Sequence, residues 1–542
     1  MTTLTGTLRL VRLAVRRDRI MLPIWIASIA SIAWMVIGSY EATVGVEAQR
    51  ISTATFAAGN PMARMFDGPA AGYDLGAMVM VECYQVLAVL AALMSAQAMV
   101  RHTRQDEETG RAELLGSGVV GRHARLTAAL IVTLAANVVL GAAVAGVLAG
   151  SGYTGAGALV AGLSVMGMGW VFAGVGAIGA QVFSTARGAN AIAGVGLGVV
   201  FLVRTVGDLL GDVAPNGVAV VSAWPSWLSP LGWGQQMRPF YLDRWWVIGL
   251  FVGLTLVLVA VAVALEARRD VGLGMVPARS GPAYAAPGLR TTIGLAWRLQ
   301  RGILFTWVFG LTVMAAAFGS MATSSEELIG ENEQMRALLA RLSPDAGVVD
   351  LYMGFCMAMM GIAAAGYTVQ ALLRMRAEEV TGRLEPVLAT ATGRHRWLAS
   401  HVIIATAGTA LLLTACGLAA GAVYAAAADD WSQMGGPLGG AVVQLPATLA
   451  LGGFVLALFG MLPRWSGPLA WAALAVALVV GQLGSLLDLP QWALDISPFT
   501  HVPRVPAEAF SVTPVIWLLL AAVALGAVGF AAFRRRDLAI AA

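Results

Sequence analysis

The chain has 542 residues, of which 58% are hydrophobic and only 12% are charged, and its mean hydropathy is +0.77. A soluble domain of this length cannot hide so much apolar surface, because the buried fraction of a folded chain rises only slowly with size. All 34 basic residues are arginine, so the chain lacks the lysine of a phosphate-binding P-loop, and ATP hydrolysis cannot be assigned to it. The arginines lie in short loops rather than on one face, which argues against nucleic-acid binding.

Twelve apolar segments are long enough to cross a hydrocarbon layer of ~30 Å as helices. They are 21–40, 76–100, 126–150, 158–182, 190–207 and 246–265, followed by 303–321, 351–373, 399–425, 441–462, 468–487 and 513–532. The first segment lacks the small-residue cleavage pattern of a signal peptide, so we interpret it as a retained span. If the N-terminus is cytoplasmic, most arginines fall in cytoplasmic loops, as the positive-inside rule requires. The sequence predicts an all-α integral membrane protein with both termini in the cytoplasm.

Two blocks of sequence recur along the chain. Residues 104–126 align without gaps to 376–398, with ten of 23 positions identical, and residues 13–25 align to 295–307 with six of 13 identical. The sequence Arg-Arg-Asp also follows the last span of each half. Blocks that match in the same order indicate an internal duplication.

The duplication defines the predicted domains. Residues 1–269 form a first six-helix half with an N-terminal amphipathic helix, and residues 293–542 form a second six-helix half. Between them, 270–292 is rich in glycine and proline, which is typical of a flexible linker, here cytoplasmic.

The loop after the second span of each half, 101–125 and 374–397, alternates acidic and arginine residues at helical spacing. In each loop a glutamate precedes an arginine by four residues, an order that stabilises an exposed helix by ~0.2–0.5 kcal/mol. The charged residues of interest are Glu107, Arg111, Glu113, Glu379, Arg383 and Glu385. The positive-inside rule explains the arginines but does not require the acids. Their repetition therefore favours a docking surface for a cytoplasmic partner over a merely solvated loop.

The sequences EETGRAELL (107–115) and EEVTGRLEPVLATATGRHRW (378–397) resemble the coupling-helix segment of type-2 ABC exporter permeases, which is seated on the ATPase. The amphipathic segments 4–19 and 289–301 resemble the elbow helices of the same group. Two permeases in one chain resemble the tetronasin-type antibiotic exporters of actinobacteria, and the likeness covers nearly the whole length. The chain departs from the wider family in having arginine, where threonine is commoner, at the position after each loop glycine.

The resemblance implies a permease subunit of an ATP-driven exporter in the bacterial cell membrane, which extrudes hydrophobic or amphiphilic compounds such as antibiotics or drugs. It implies that two copies of a separate ABC ATPase bind ATP and Mg²⁺ and dock on the six charged residues. The chain itself is then not an enzyme and carries no cofactor.

A proton-coupled drug antiporter of the major facilitator type, which also has two six-helix halves, is the alternative. The loop signature of that class, D-R-x-G-R-[RK], does not fit, because Asp106 stands four residues before Gly110 and no basic residue follows Arg111. The first outer loop of that class is usually short, whereas 41–75 is long here. A membrane scaffold or polymer synthase subunit would leave the duplicated loops unexplained.

Glu82, Arg204 and Asp208 are charged residues within the predicted spans or at their outer ends. Glu82, about six residues into the second span, is a candidate for the substrate pathway, because an acid in lipid is costly and usually functional. The alternative is that Glu82 pairs near the outer surface; its counterpart in the second half is Gly354. Arg204 and Asp208, four residues apart, predict an ion pair within the fifth span.

The three cysteines, Cys83, Cys356 and Cys416, lie far apart in apolar runs. We interpret them as small buried hydrophobic residues. The sequence predicts neither a metal site nor a disulfide.

Overall fold

The computed structural model of the protein describes residues 3–270, 272–276, 281, 283–330, 347–483 and 490–538. The chain forms two compact units, Met1–Gly281 and Pro282–Ala542. Each unit is a bundle of helices around its own apolar core.

The first unit contains six long apolar helices. They are span 1 (Met21–Thr43), span 2 (Leu75–His102), span 3 (Ala124–Gly150), span 4 (Gly155–Val182), span 5 (Ala186–Leu209) and span 6 (Ile248–Glu266). Span 4 is the most buried of them and packs on spans 2, 3 and 6. A Cβ added at Gly162 of span 4 would lie 2.2 Å from the carbonyl oxygen of Gly141 in span 3. Small residues therefore allow the close helix contacts that membrane bundles use.

Shorter elements connect these spans. The helices are Thr7–Asp18, Glu47–Gly59, Pro61–Phe66, Arg104–Glu108, Arg111–Gly116 and Pro230–Gln236, the 3₁₀ helices are Trp224–Leu228 and Trp245–Val247, and the strands Asp212–Val213 and Val220–Val221 pair antiparallel. The small hairpin, between spans 5 and 6, is a minor exception to the all-α prediction.

The second unit repeats the arrangement. Its long helices are span 7 (Thr292–Gly330), span 8 (Val348–Val380), span 9 (Arg394–Ala427), span 10 (Leu445–Met461), helix 11 (Ser466–Leu483) and span 12 (Val512–Arg535). Its shorter helices are Leu384–Leu388, Gly435–Val442 and Gln491–Leu494, with 3₁₀ helices Pro287–Arg290, Trp431–Met434 and Pro498–His501.

The two amphipathic segments differ in how they join the bundle. In the first unit the helix Thr7–Asp18 ends just before span 1 begins at Met21. In the second unit the helix that begins at Thr292 continues without a break to Gly330. The sequence alignment therefore found both segments, but only the first is a separate helix.

Eleven helices in the described ranges are long and apolar enough to cross a membrane. The predicted span 468–487 corresponds to a shorter apolar helix, Ser466–Gly481, and its far end falls on 484–489, outside the described residues. The predicted all-α integral membrane fold is confirmed.

Candidate functional site: the duplicated loops

A glycine interrupts both duplicated loops at the same position. Gly110 has φ 73° and Gly382 has φ 70°, a left-handed conformation that glycine adopts without steric cost. In each loop a helix ends two residues before the glycine, and a short helix follows it, Arg111–Gly116 or Leu384–Leu388. The backbone therefore changes direction between the first glutamate and the arginine of each loop.

Glu107 lies before this break and is buried, with its side chain only 4% exposed. The guanidinium of Arg269, just after span 6, donates to both carboxylate oxygens, at 2.9 Å and 2.8 Å. Arg104 lies 2.8 Å and Arg125 3.7 Å from the same carboxylate. The prediction that Glu107 faces solvent beside Arg111 is wrong, because the glycine break moves the arginine off that helix while Arg269 reaches the acid from a distant element.

Glu379 occupies the equivalent position in the second unit, and its side chain is 0% exposed. Arg536, after span 12, donates to both carboxylate oxygens, one at 2.9 Å. Arg376 is a further partner at 3.2 Å. The guanidinium of Arg536 also lies over two aromatic rings, 5.0 Å and 5.1 Å from their centroids. The predicted exposed pair of Glu379 with Arg383 is wrong for the same reason as in the first loop.

The remaining four predicted residues do face solvent. They are Arg111, Glu113, Arg383 and Glu385. The described part of the chain provides no ion-pair partner for either glutamate. Each short helix packs against its unit through one buried apolar residue, Ala112 or Leu384. Leu114, on the first of these helices, is by contrast 78% exposed. Each loop thus presents an arginine and a glutamate two residues apart on an exposed turn.

The far end of each loop is also attached to the last span of its unit. Arg122 donates to the carbonyl oxygens of Ala267, at 2.7 Å, and Glu266, at 3.2 Å. Arg394, at the equivalent position, donates to the carbonyl oxygens of Arg536, at 2.6 Å, and Phe533, at 3.3 Å. Carbonyls at the end of a helix lack intrahelical partners, and these arginines satisfy them.

The N-terminal helix of the first unit is tied to the same region by charge. Asp18 is buried and contacts His102 at 2.7 Å and Arg101 at 2.9 Å, while Arg17 donates to Asp106 at 2.7 Å. Burial alone would raise the pKa of Asp18, but the hydrogen bond from His102 and the charges of His102 and Arg101 hold it below its ordinary value.

In the second unit the corresponding residue makes a neutral contact with a different span, span 9. Gln300, which aligns with Asp18, lies 3.0 Å from the Nδ1 atom of His401. The two halves therefore share the attachment to the last span and differ in the attachment of the amphipathic segment.

Glu82 is exposed and accepts a hydrogen bond of 2.9 Å from the hydroxyl of Tyr40 on span 1. This contact supplies the outer-surface partner that the alternative interpretation required. A role for Glu82 in a substrate pathway stays a prediction.

The predicted ion pair of Arg204 with Asp208 is confirmed, at 3.2 Å, and both side chains are fully buried. Arg204 also donates to the carbonyl oxygens of Arg64, at 2.9 Å, and Met65, at 2.8 Å, and to the side chain of Gln85. The arginine therefore holds the outer segment after span 1 against spans 2 and 5. The equivalent acid of the second half, Asp488, lies outside the described residues.

Two comparisons relate the chain to known proteins. The family model for the C-terminal domain of the multidrug efflux system permease Rv1217c matches residues 289–534. The multidrug efflux system permease protein Rv1217c of Mycobacterium tuberculosis is 38% identical over 540 residues, which is 98% of this chain and 95% of that protein. The chain belongs to the multidrug efflux permease family. As a permease it is a membrane transport component, and this relationship does not favour the major facilitator alternative.

Reasoning from the sequence missed the partners of the buried acids in this permease. Arg269 and Arg536 lie 162 and 157 residues from the glutamates they bind. One signal was present, namely the Arg-Arg-Asp sequence repeated after the last span of each half. Asp18 had no comparable signal, because its counterpart is Gln300.

Proposed function

We propose that the chain is the permease subunit of an ATP-driven exporter and extrudes hydrophobic or amphiphilic compounds such as antibiotics or drugs. The M. tuberculosis relative is a multidrug efflux system permease, which supports this class of substrate, and the resemblance to tetronasin-type exporters points the same way. ATP and Mg²⁺ bind to two copies of a separate ATPase, because this chain has no lysine for a P-loop. Both termini and both duplicated loops lie in the cytoplasm.

The proposal that a separate ATPase docks on this chain rests on the exposed turn of each duplicated loop. Each presents a glutamate, Glu113 or Glu385, without an ion-pair partner among the described residues. An unpaired charge is costly against lipid, so these turns lie in water or against a protein. In both loops a left-handed glycine is followed by the same arginine–x–glutamate order. A loop that is merely solvated does not require this repetition. We assign one ATPase copy to each turn.

Reversing the charge of the two exposed glutamates tests the docking surface. In the double variant Glu113→Arg/Glu385→Arg we expect normal membrane insertion, because exposed substitutions usually change stability by under ~0.5 kcal/mol. The ATPase should be lost from a pull-down at moderate salt, since like charges now meet across the interface. The matched control is Glu47→Arg, an exposed glutamate on the outer helix Glu47–Gly59, which should retain the ATPase.

An uncoupler separates the proposal from the antiporter alternative. If the double variant keeps full efflux, and if efflux by the unmodified chain collapses when the proton gradient is removed while ATP stays constant, the ABC assignment is wrong.

A further inference from the structure

In each unit a buried carboxylate and a buried guanidinium join the duplicated loop to the last span. Glu107 binds Arg269, and Glu379 binds Arg536, each through both carboxylate oxygens. Two parallel hydrogen bonds between planar groups fix relative orientation as well as distance. These pairs therefore restrain how the loop can rotate against the end of the span.

A second contact holds the other end of each loop to the same helix terminus. Arg122 binds carbonyl oxygens at the end of span 6, and Arg394 binds those at the end of span 12. In both units the buried glutamate and this arginine are 15 residues apart. The exposed turn lies between the two attachments, so a displacement of the turn is passed to the last span at two points.

Stability alone does not explain these pairs. A buried ion pair can often be replaced by apolar side chains without loss of stability, because taking two charges out of water is expensive. The surroundings of the two pairs also differ: Arg125 lies near the first, whereas aromatic rings lie against Arg536 in the second. Both units share the carboxylate–guanidinium bond to the last span and an arginine three residues before the glutamate, Arg104 or Arg376.

We propose that Glu107 with Arg269, and Glu379 with Arg536, are positioning residues that make each ATPase-docking turn and the end of the last span move as one body. This inference rests on the proposed function, because it assumes that an ATPase acts on the turns. The pairs do not touch the ATPase; they convert its movement into movement of spans 6 and 12.

The second unit is chosen for the test, because the side chain of Glu379 is fully buried. The variant Glu379→Gln is reconstituted in proteoliposomes with the ATPase, and ethidium transport is measured together with ATP hydrolysis. We expect the ATPase to remain bound and active, while ethidium transported per ATP falls on the order of tenfold, which is within the usual range of coupling between sites. The matched control is Asp350→Asn, which removes a carboxylate from the first turn of the same helix, at the end away from the loop. This control should leave transport per ATP unchanged.

A second variant separates coupling from folding. Glu379→Gln/Arg536→Gln removes both charges of the pair and leaves only Arg376, which is 18% exposed, without its carboxylate, so it should fold in normal amounts even if the single variant does not. Neutral hydrogen bonds are about half as strong as charged ones, so transport per ATP should stay low. Normal coupling in this double variant would overturn the proposal, as would an equal fall of transport and hydrolysis in Glu379→Gln. Loss of the ATPase from Glu379→Gln would also overturn it, because the residue would then act in docking. The docking proposal fails separately, if Glu113→Arg/Glu385→Arg retains the ATPase.

Discussion

At the scale of single residues, Asp67 is an outer-loop group whose charge is strongly affected by its surroundings. It follows the helix Pro61–Phe66 and is only partly accessible to water. Burial and the nearby charge of Glu82 together raise the pKa of Asp67 to about 7, although the charge of Arg204 opposes the shift. The carboxyl group is therefore held closer to its neutral form in the folded protein than in the unfolded chain.

This shift predicts how stability depends on pH. A carboxyl whose pKa is raised on folding favours the folded state below its ordinary pKa, and this advantage is lost as pH rises toward about 7. In Asp67→Asn the side chain cannot ionise, so this pH-dependent loss of stability does not occur. We expect the melting temperature of Asp67→Asn to rise relative to that of the unmodified protein between pH 5 and pH 7. Above that range the difference between the two melting temperatures should stay constant. The exposed Asp212 supplies the control Asp212→Asn; a pH-independent difference for Asp67→Asn would contradict the assignment.

At the scale of elements, hydropathy was sufficient to predict the eleven helices of the described ranges that are long and apolar enough to cross a membrane, because length and apolar character are local properties. The pairing of charges in the duplicated loops was not local. The four-residue spacing of Glu107 and Arg111 assumes one continuous helix, and Gly110 breaks it. Nothing in a single sequence states that a glycine will adopt positive φ, or that an arginine 162 residues away will bind the acid. The exposed half of each loop could be predicted because its charged side chains have no distant ion-pair partner among the residues that the structure describes.

Glycines set the distance between spans 10 and 12. A Cβ at Gly529 would lie 2.5 Å from the carbonyl oxygen of Leu456, which is backbone and cannot yield like a side chain. Gly529→Val should therefore destabilise the second unit by about 1–3 kcal/mol, the usual cost of overpacking. On the same helix a Cβ at Gly526 would meet nothing closer than 3.9 Å, so Gly526→Val is the matched control. Thermal unfolding in detergent should show a lower midpoint for the first variant only; equal midpoints would contradict the close helix approach.

At the scale of the whole molecule, the predicted topology places the duplicated loops in the cytoplasm and the helix Glu47–Gly59 outside. The three native cysteines are buried, so they provide a low background for labelling. With a membrane-impermeant maleimide, Glu47→Cys should react in intact cells, whereas Glu113→Cys should react only after permeabilisation. Reaction of Glu113→Cys from outside would reverse the topology and remove the basis for ATPase docking at these loops.

The buried pairs of the duplicated loops also bear on how a fused transporter evolves. Loss of one partner breaks a buried charge pair, which costs up to about 3–5 kcal/mol, so a substitution of either residue alone is selected against. A pair present in a single-copy ancestor would be inherited by both halves and retained, while neighbours that tolerate single changes diverge. Asp18 and Gln300 show such divergence, since Asp18 makes a charged contact with span 2 and the aligned Gln300 makes a neutral contact with span 9. Gene duplication followed by fusion would thus preserve the linkage to the last span as a shared inheritance and leave the amphipathic segments free to specialise.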